Sequence, residues 1–134
     1  MKRSIIFIFF LILTIIPVKA IAPDVLAGFW QFERGIYYAK SLNDLYPYIS
    51  TLEVQNLKAL TTPQQREKRL AYFRQQYLID PVFTGEQRVP EGIKLSGTAS
   101  AIIDSKRYHG KFNYIMKQEG GRWVSWSRQF ISDL

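Results

Sequence analysis

Apolar residues fall on alternate positions through the last third of the chain. Ile93, Leu95, Gly97, Ala99, Ala101 and Ile103 form one row, and Lys94, Ser96, Thr98, Ser100 and Ile102 the other. A period of two is that of a strand buried on one face. A second run, Arg107 to Lys117, sets Tyr108, Gly110, Phe112, Tyr114 and Met116 against His109, Lys111, Asn113, Ile115 and Lys117. A third, Arg122 to Phe130, sets Val124, Trp126, Arg128 and Phe130 against Trp123, Ser125, Ser127 and Gln129. The links are short: Asp104-Ser105-Lys106, then Gln118-Glu119-Gly120-Gly121. Neither can carry a parallel crossover, so the three strands are expected as an antiparallel meander. The inward residues of the first run are small in its middle, which leaves room for a large side chain or a ligand. A weaker run, Val82 to Val89, contains Gly85 and is followed by Pro90, and reads as an edge strand or a bulged one.

Upstream the period changes. Val25, Phe29, Phe32, Ile36 and Ala39 recur every three or four residues, which predicts an amphipathic helix from about Asp24 to Lys40. Trp30 and Tyr37 lie beside that stripe and are expected to widen it. Ser41-Leu42-Asn43-Asp44 breaks the helix, and Leu45 to Ile49 is a short turn interrupted by Pro47. Ser50-Thr51-Leu52-Glu53 has the form of a capping box and starts a helix to about Leu60. Thr62-Pro63-Gln64-Gln65 starts another, to about Tyr77, with Leu70, Phe73 and Tyr77 apolar. Asp80-Pro81 stops it. Helices first and strands afterwards predict an α+β domain: N-terminal helices packed on a curved antiparallel sheet of about four strands.

The first twenty residues stand apart. Lys2 and Arg3 precede an apolar run, Ile5 to Ile16, then Pro17 and the small-residue site Val18-Lys19-Ala20. This is the pattern of a secretory signal peptide, expected to be cleaved after Ala20 in preference to Ala22, which would leave Pro23 leading; the alternative is an uncleaved anchor. The run is shorter than the ~20 residues that span a bilayer. The expected organisation is a signal over residues 1–20 and a single domain over 21–134, exported to the periplasm or the medium. The membrane is met only through the signal. Loss of Lys2, Arg3 and Lys19 lowers the net charge from +7 to +4. That mild, scattered excess is not a nucleic-acid footprint. The chain has no cysteine, so an exported domain must rely on its core, to which 15% aromatic content contributes.

The long first helix, the segment Ser-Leu-Asn-Asp-Leu-Tyr-Pro-Tyr-Ile-Ser, more helix, and a sheet ending in Glu-Gly-Gly-Arg-Trp-Val-Ser-Trp resemble the nuclear transport factor 2-like superfamily, a cystatin-like α+β cone, in particular its small secreted bacterial members. The hairpin Gly120-Gly121-Arg122-Trp123-Val124 is similar to that family's penultimate turn and final strand. The resemblance covers nearly the whole mature chain. It implies helices packed on a bent sheet, often around a pocket, and it implies no single activity, because that fold hosts isomerases, dehydratases and non-enzymatic binders.

No residue is assigned as catalytic. Serine-nucleophile, phosphate-loop and paired-carboxylate motifs are lacking, and one histidine without cysteine makes no usual metal site. No cofactor is expected. His109 alternates away from the core, and Asp104 sits where a turn needs an aspartate. Tyr37, Tyr38, Tyr108 and Tyr114, with Trp30 and Trp126, can line a pocket or fill it. Arg128 shares a face with Val124 and Trp126; inward, it needs an anionic partner, either Glu33 or a ligand. The expected ligand-binding set is Trp30, Glu33, Tyr37, Tyr114, Trp126 and Arg128. The leading expectation is a non-catalytic exported binding or accessory domain taking a small ligand or a partner protein. The alternatives are an isomerase- or dehydratase-like enzyme, using Glu33, Asp104 or His109, and an exported immunity or accessory protein acting through a surface patch. A face carrying Trp123 and Ile115 would also let two copies pair through their sheets.

Overall fold

The computed structural model describes residues 21–133. The segment expected to be a signal peptide, residues 1–20, lies outside the described residues. Helix α1 (Pro23–Tyr38) is followed by a 3-10 segment (Leu42–Tyr48), α2 (Thr51–Lys58), α3 (Pro63–Arg74) and strands β1 (Ile79–Val89), β2 (Gly92–Ile103), β3 (Lys106–Glu119) and β4 (Arg122–Ser132). The strands pair in chain order as one antiparallel sheet. Helices precede the sheet, and the fold is α+β.

The first helix forms for the expected reason. Val25, Phe29, Phe32 and Ile36 are buried along one side, each side chain contributing about 1.5–3 kcal/mol by leaving water. It ends at Tyr38, two residues short of Lys40, because Ala39 turns to an extended conformation. Two contacts hold that exit. Arg74 donates to the Ala39 carbonyl, and the Asp44 carboxylate accepts from the amides of Lys40 and Ser41. Gly28 lies where β4 crosses the helix: a Cβ there would stand 2.7 Å from Cβ of Trp123 and 2.9 Å from its carbonyl oxygen. Thr62 and Gln65 form the reciprocal cap expected at the start of α3. At α2 only half the box exists. The Ser50 hydroxyl accepts from the Glu53 amide, while the Glu53 carboxylate goes elsewhere. The start of α2 is bound instead by Glu119 from the β3–β4 hairpin, which accepts from the Thr51 amide and hydroxyl at 3.0 and 2.7 Å. Helix α3 ends at Arg74, so Tyr77 belongs to the link before β1.

Strand β1 is longer than the alternation suggested and starts at Ile79, but it is the edge strand, with two register irregularities. Strands β2 and β3 pair without interruption from Ile93↔Met116 to Ile103↔Lys106, and their small and large inward residues face α1 as expected. Strand β4 departs from simple alternation. Ser127 pairs with Ile115 but Ser125 with Met116, so Trp126 is one residue too many and forms a bulge. An inserted residue moves everything beyond it to the other face. Arg128 and Phe130 keep the inward face, opposite Tyr114 and Phe112. Before the bulge the expected faces exchange: Ser125 and Trp123 turn inward, and Val124 pairs with Lys117. Trp123 packs against the core, and its indole donates to Asp24 of α1 at 2.8 Å. Trp123 is therefore half-buried against α1, on the opposite face from Ile115, so the two do not form the shared surface that motivated pairing of two sheets.

Candidate functional site

Between α1 and the sheet the space is filled by rings. Phe29, Phe32, Phe112 and Tyr114 are fully buried. Phe29 meets Phe83, Phe112 and Tyr114 at centroid distances of 5.1, 6.2 and 5.7 Å. The room left by small residues in β2 is taken from within the sheet. A Cβ on Gly97 would stand 2.7 Å from the Phe112 ring, and Phe83, opposite Gly97 in register, packs edge-on to Phe112. A cleft of about 150 Å³ remains at the far end, lined by Tyr72, Gln76, Tyr114 and Arg128 among others.

Glu33 is the exceptional residue of this core. It follows Phe29 by four and precedes Ile36 by three, so helical spacing carries it onto the buried side, and it is 1% exposed. Its Oε2 accepts from the Leu78 amide at 2.8 Å, tying α1 to the start of the sheet. Its Oε1 is buried without a hydrogen-bond partner. Burial pushes the carboxyl up from 4.5 to about 8, against the opposing pull of the Leu78 amide and the Arg128 charge. At neutral pH the side chain is therefore mostly a neutral acid. Tyr114 lies close enough to feel it: burial first, then Glu33, push its phenol well above the usual range. The Tyr114 hydroxyl donates to the Gln76 carbonyl.

Arg128 faces inward, as its register position requires, and its partner is Glu53. The guanidinium donates to both Glu53 oxygens at 2.9 and 2.8 Å, to Gln76 Oε1 at 2.7 Å and to Ser125 Oγ at 2.9 Å. It lies over the rings of Phe32 and Phe73 and its side chain is 6% exposed. Such a group is fully satisfied by the protein, and an anionic ligand is not required to explain it. Glu33 contributes attraction at a distance but no contact.

The open feature next to Glu33 is a groove of about 390 Å³ lined by Trp30, Glu33, Arg34, Tyr37, Tyr38 and Tyr77. Trp30, Tyr37 and Tyr38 do not widen the buried stripe; they are 42, 60 and 71% exposed. Trp30 is braced edge-on by Phe29 and Phe83. Tyr37 packs on Tyr38 and Tyr77 at 4.9 and 5.1 Å. Burial raises the Tyr77 phenol, and Glu33, Tyr37, Tyr38 and Asp80 add to the effect. Tyr37 and Tyr77 also border a neighbouring hollow of about 260 Å³ with Ile79 and Ile102.

The structure thus brings three of the expected residues, Trp30, Glu33 and Tyr37, to one groove. Tyr114 and Arg128 lie beneath it in the core, and Trp126 is half-buried at the bulge, outside both the groove and the core cluster. Arg34 and Tyr77 were missed as groove residues. Arg34 had a signal, being four residues from Trp30 and from Tyr38. Asp104 is an exposed turn residue with φ of 50°. His109 is exposed on the sheet's open face, where its Nδ1 lies 2.9 Å from Asp133. A larger hollow of about 580 Å³ beside α3 is lined by Lys40, Arg66 and Arg74 among others. Both arginines are occupied: Arg66 donates to the Leu57 and Leu60 carbonyls, Asn43 and Tyr46, and Arg74 to Ala39. Among the described residues no cluster suits a metal ion and no helix is long and apolar enough to cross a membrane. No family model, curated protein or solved structure matches this chain.

Proposed function

We propose that the chain is an exported, non-catalytic binding domain, and that it takes a small ligand in the aromatic groove on α1 rather than inside the cone. The observation that carries this reading is the conjunction of exposed rings with a buried, half-satisfied carboxyl in one groove wall. Exposed aromatic surface beside a buried polar group is the usual composition of a ligand site. A buried oxygen without a partner costs stability, about 1–3 kcal/mol, which a ligand donor would recover. The helix-first order, the four-stranded antiparallel sheet and the rings packed between α1 and the sheet agree with the resemblance to the nuclear transport factor 2-like superfamily, which forms part of this proposal. So does export, which rests on the signal pattern of residues 1–20.

The test is a thermal-shift screen of the purified protein against small apolar, cationic and anionic compounds. A ligand confined to the native state raises the melting temperature by mass action. Hits that vanish in Tyr37→Ala and persist in His109→Ala are expected. A flat screen at millimolar concentrations would remove the small-ligand reading and leave a partner protein as the occupant. One observation favours a second reading, proton-transfer catalysis on a small organic molecule: burial lifts the Glu33 carboxyl to about 8 beside two tyrosines, Tyr77 and Tyr114, whose phenols are raised as well. Turnover of a bound compound, abolished in Glu33→Gln, would replace the first reading by that one.

A further inference from the structure

The groove has a chemistry that selects among ligands. We infer that it is a site for a protonated primary or secondary amine carried on an apolar body, with Glu33 Oε1 as the acceptor and counter-charge and the rings of Trp30, Tyr37, Tyr38 and Tyr77 as walls. This rests on the groove being the binding site and goes on to name the class of ligand.

Three observations point the same way. Oε1 of Glu33 is an acceptor without a donor, since Oε2 already takes the Leu78 amide. An N–H donor supplies what is missing, and a cationic one supplies the charge that lets the buried carboxyl ionise. Four aromatic rings border the same space, and ring faces attract cations, most strongly where water is thinned. The rings also cover the apolar body of such a ligand, while a bare inorganic cation would leave them unused.

The charges around Glu33 permit this. On α1 the neighbours are Arg34, Tyr37 and Tyr38; from the link before β1 comes Tyr77, and from β1 Asp80; beneath lie Tyr114 of β3 and Arg128 of β4. The Arg128 charge is already matched by Glu53 at 2.8 Å. Arg34 is exposed on a long flexible stem and can turn to water as a second cation enters. Tyr77 lines the groove with Glu33, and the Glu33 carboxyl helps raise its phenol.

The consequence is a proton released on binding. Below pH 8 the free site holds a neutral Glu33, and the amine binds the ionised form. Affinity for an amine should then rise by ~10-fold between pH 6 and pH 7, while affinity for a neutral analogue stays flat. The experiment is calorimetric titration of the purified protein with 2-phenylethylamine, 2-phenylethanol and 3-phenylpropionate, in two buffers of different ionisation enthalpy. The amine is expected to bind with release of close to one proton at pH 7. The alcohol and the acid are expected to bind at least ~10-fold more weakly. Glu33→Gln, which keeps an oxygen for Leu78, should lose the amine preference, and Tyr37→Ala should weaken amine and alcohol alike.

Equal or stronger binding of the alcohol, or amine binding without proton release, would overturn the amine assignment and leave the groove as a site for neutral ligands. Binding that is indifferent to Tyr37→Ala, or no binding by any of the three, would overturn the groove itself. Proton release is read on the unaltered protein, so a Glu33→Gln variant that fails to fold does not remove the decision.

Discussion

Replacing Glu33 by glutamine should change how stability depends on pH, by an amount that follows from its burial. In the folded chain the carboxyl is lifted from 4.5 to about 8. In the unfolded chain it lies in water and titrates near its ordinary value. Between those two values the native state holds a proton that the unfolded state has lost, so stability falls as pH rises. The favourable contribution of the neutral acid is fully present below pH 4.5 and is gone once pH passes 8. Each pH unit in that window costs ~1.4 kcal/mol, and the whole window about 5 kcal/mol. Glutamine has nearly the same shape, retains an oxygen for the Leu78 amide and carries no charge. The two proteins should therefore differ by no more than about 1 kcal/mol at pH 5, with the variant more stable by about 4 kcal/mol at pH 8.5. The assay is urea unfolding followed by tryptophan fluorescence at unit steps from pH 5 to pH 9. Taking the difference between the two curves cancels the other titrating groups. A difference that stays constant across that range would mean that the Glu33 carboxyl is solvated in the fold, and the account of the groove floor would fail with it.

Arg128→Met should cost about 3 kcal/mol, the lower end for breaking a buried pair, because the abandoned Glu53 is 25% exposed and can turn to water; denaturant unfolding of this variant, of Glu53→Gln and of the double variant should return a coupling energy above ~1 kcal/mol. Gly28→Ala gains about 1 kcal/mol of helix propensity but drives a methyl group to 2.7 Å from Trp123 Cβ. A net loss of about 1–2 kcal/mol is expected from the overpacking, read as a lowered melting temperature. Gly97→Ala should loosen the edge strand, because its methyl would meet the Val82 carbonyl and the Phe112 ring; hydrogen exchange should quicken in β1 before the rest of the sheet. His109→Ala should change stability by less than ~0.5 kcal/mol, since its contact with Asp133 is exposed on both sides.

Elements whose residues meet near neighbours were legible in the sequence, and elements fixed by distant ones were not. The β2–β3 pairing follows from alternation joined by a two-residue turn, where Asp104 and Ser105 both adopt positive φ, so its register was open to reading. The last strand has the same kind of turn before it, yet its alternation fails at Trp126. Nothing in Ser125-Trp126-Ser127 announces a bulge: no glycine, no proline. The choice of face is made by contacts with α1, where Trp123 meets Gly28 and Asp24, roughly a hundred positions earlier in the chain. The same distance hid the partner of Arg128. Glu53 had an adequate local explanation as a capping residue, and its engagement with β4 is visible only once the helices fold over the sheet.

Helix α1 carries two stripes that the fold treats differently. Its first stripe, Val25, Phe29, Phe32 and Ile36, is core by spacing and by burial. A second stripe runs beside it through Trp30, Arg34, Tyr37 and Tyr38, at intervals of four, seven and eight from Trp30, and remains exposed. Reading those rings as a broadening of the first stripe is the economical choice, because an apolar face of that width is common on a covered helix. Sequence could not show that these rings stay exposed, since their cover would come from elements distant in the chain, and β1, whose Phe83 meets Trp30, is irregular at its start. Glu33 lies on the boundary between the stripes. On the core side it satisfies the Leu78 amide; on the other it borders the aromatic groove. A carboxyl kept there solely to bond one amide is poorly suited to the task, because a neutral glutamine would do so without the cost of burial that lifts its titration to about 8. An ionisable group gains something glutamine cannot supply only when a cation or a proton arrives at its second oxygen.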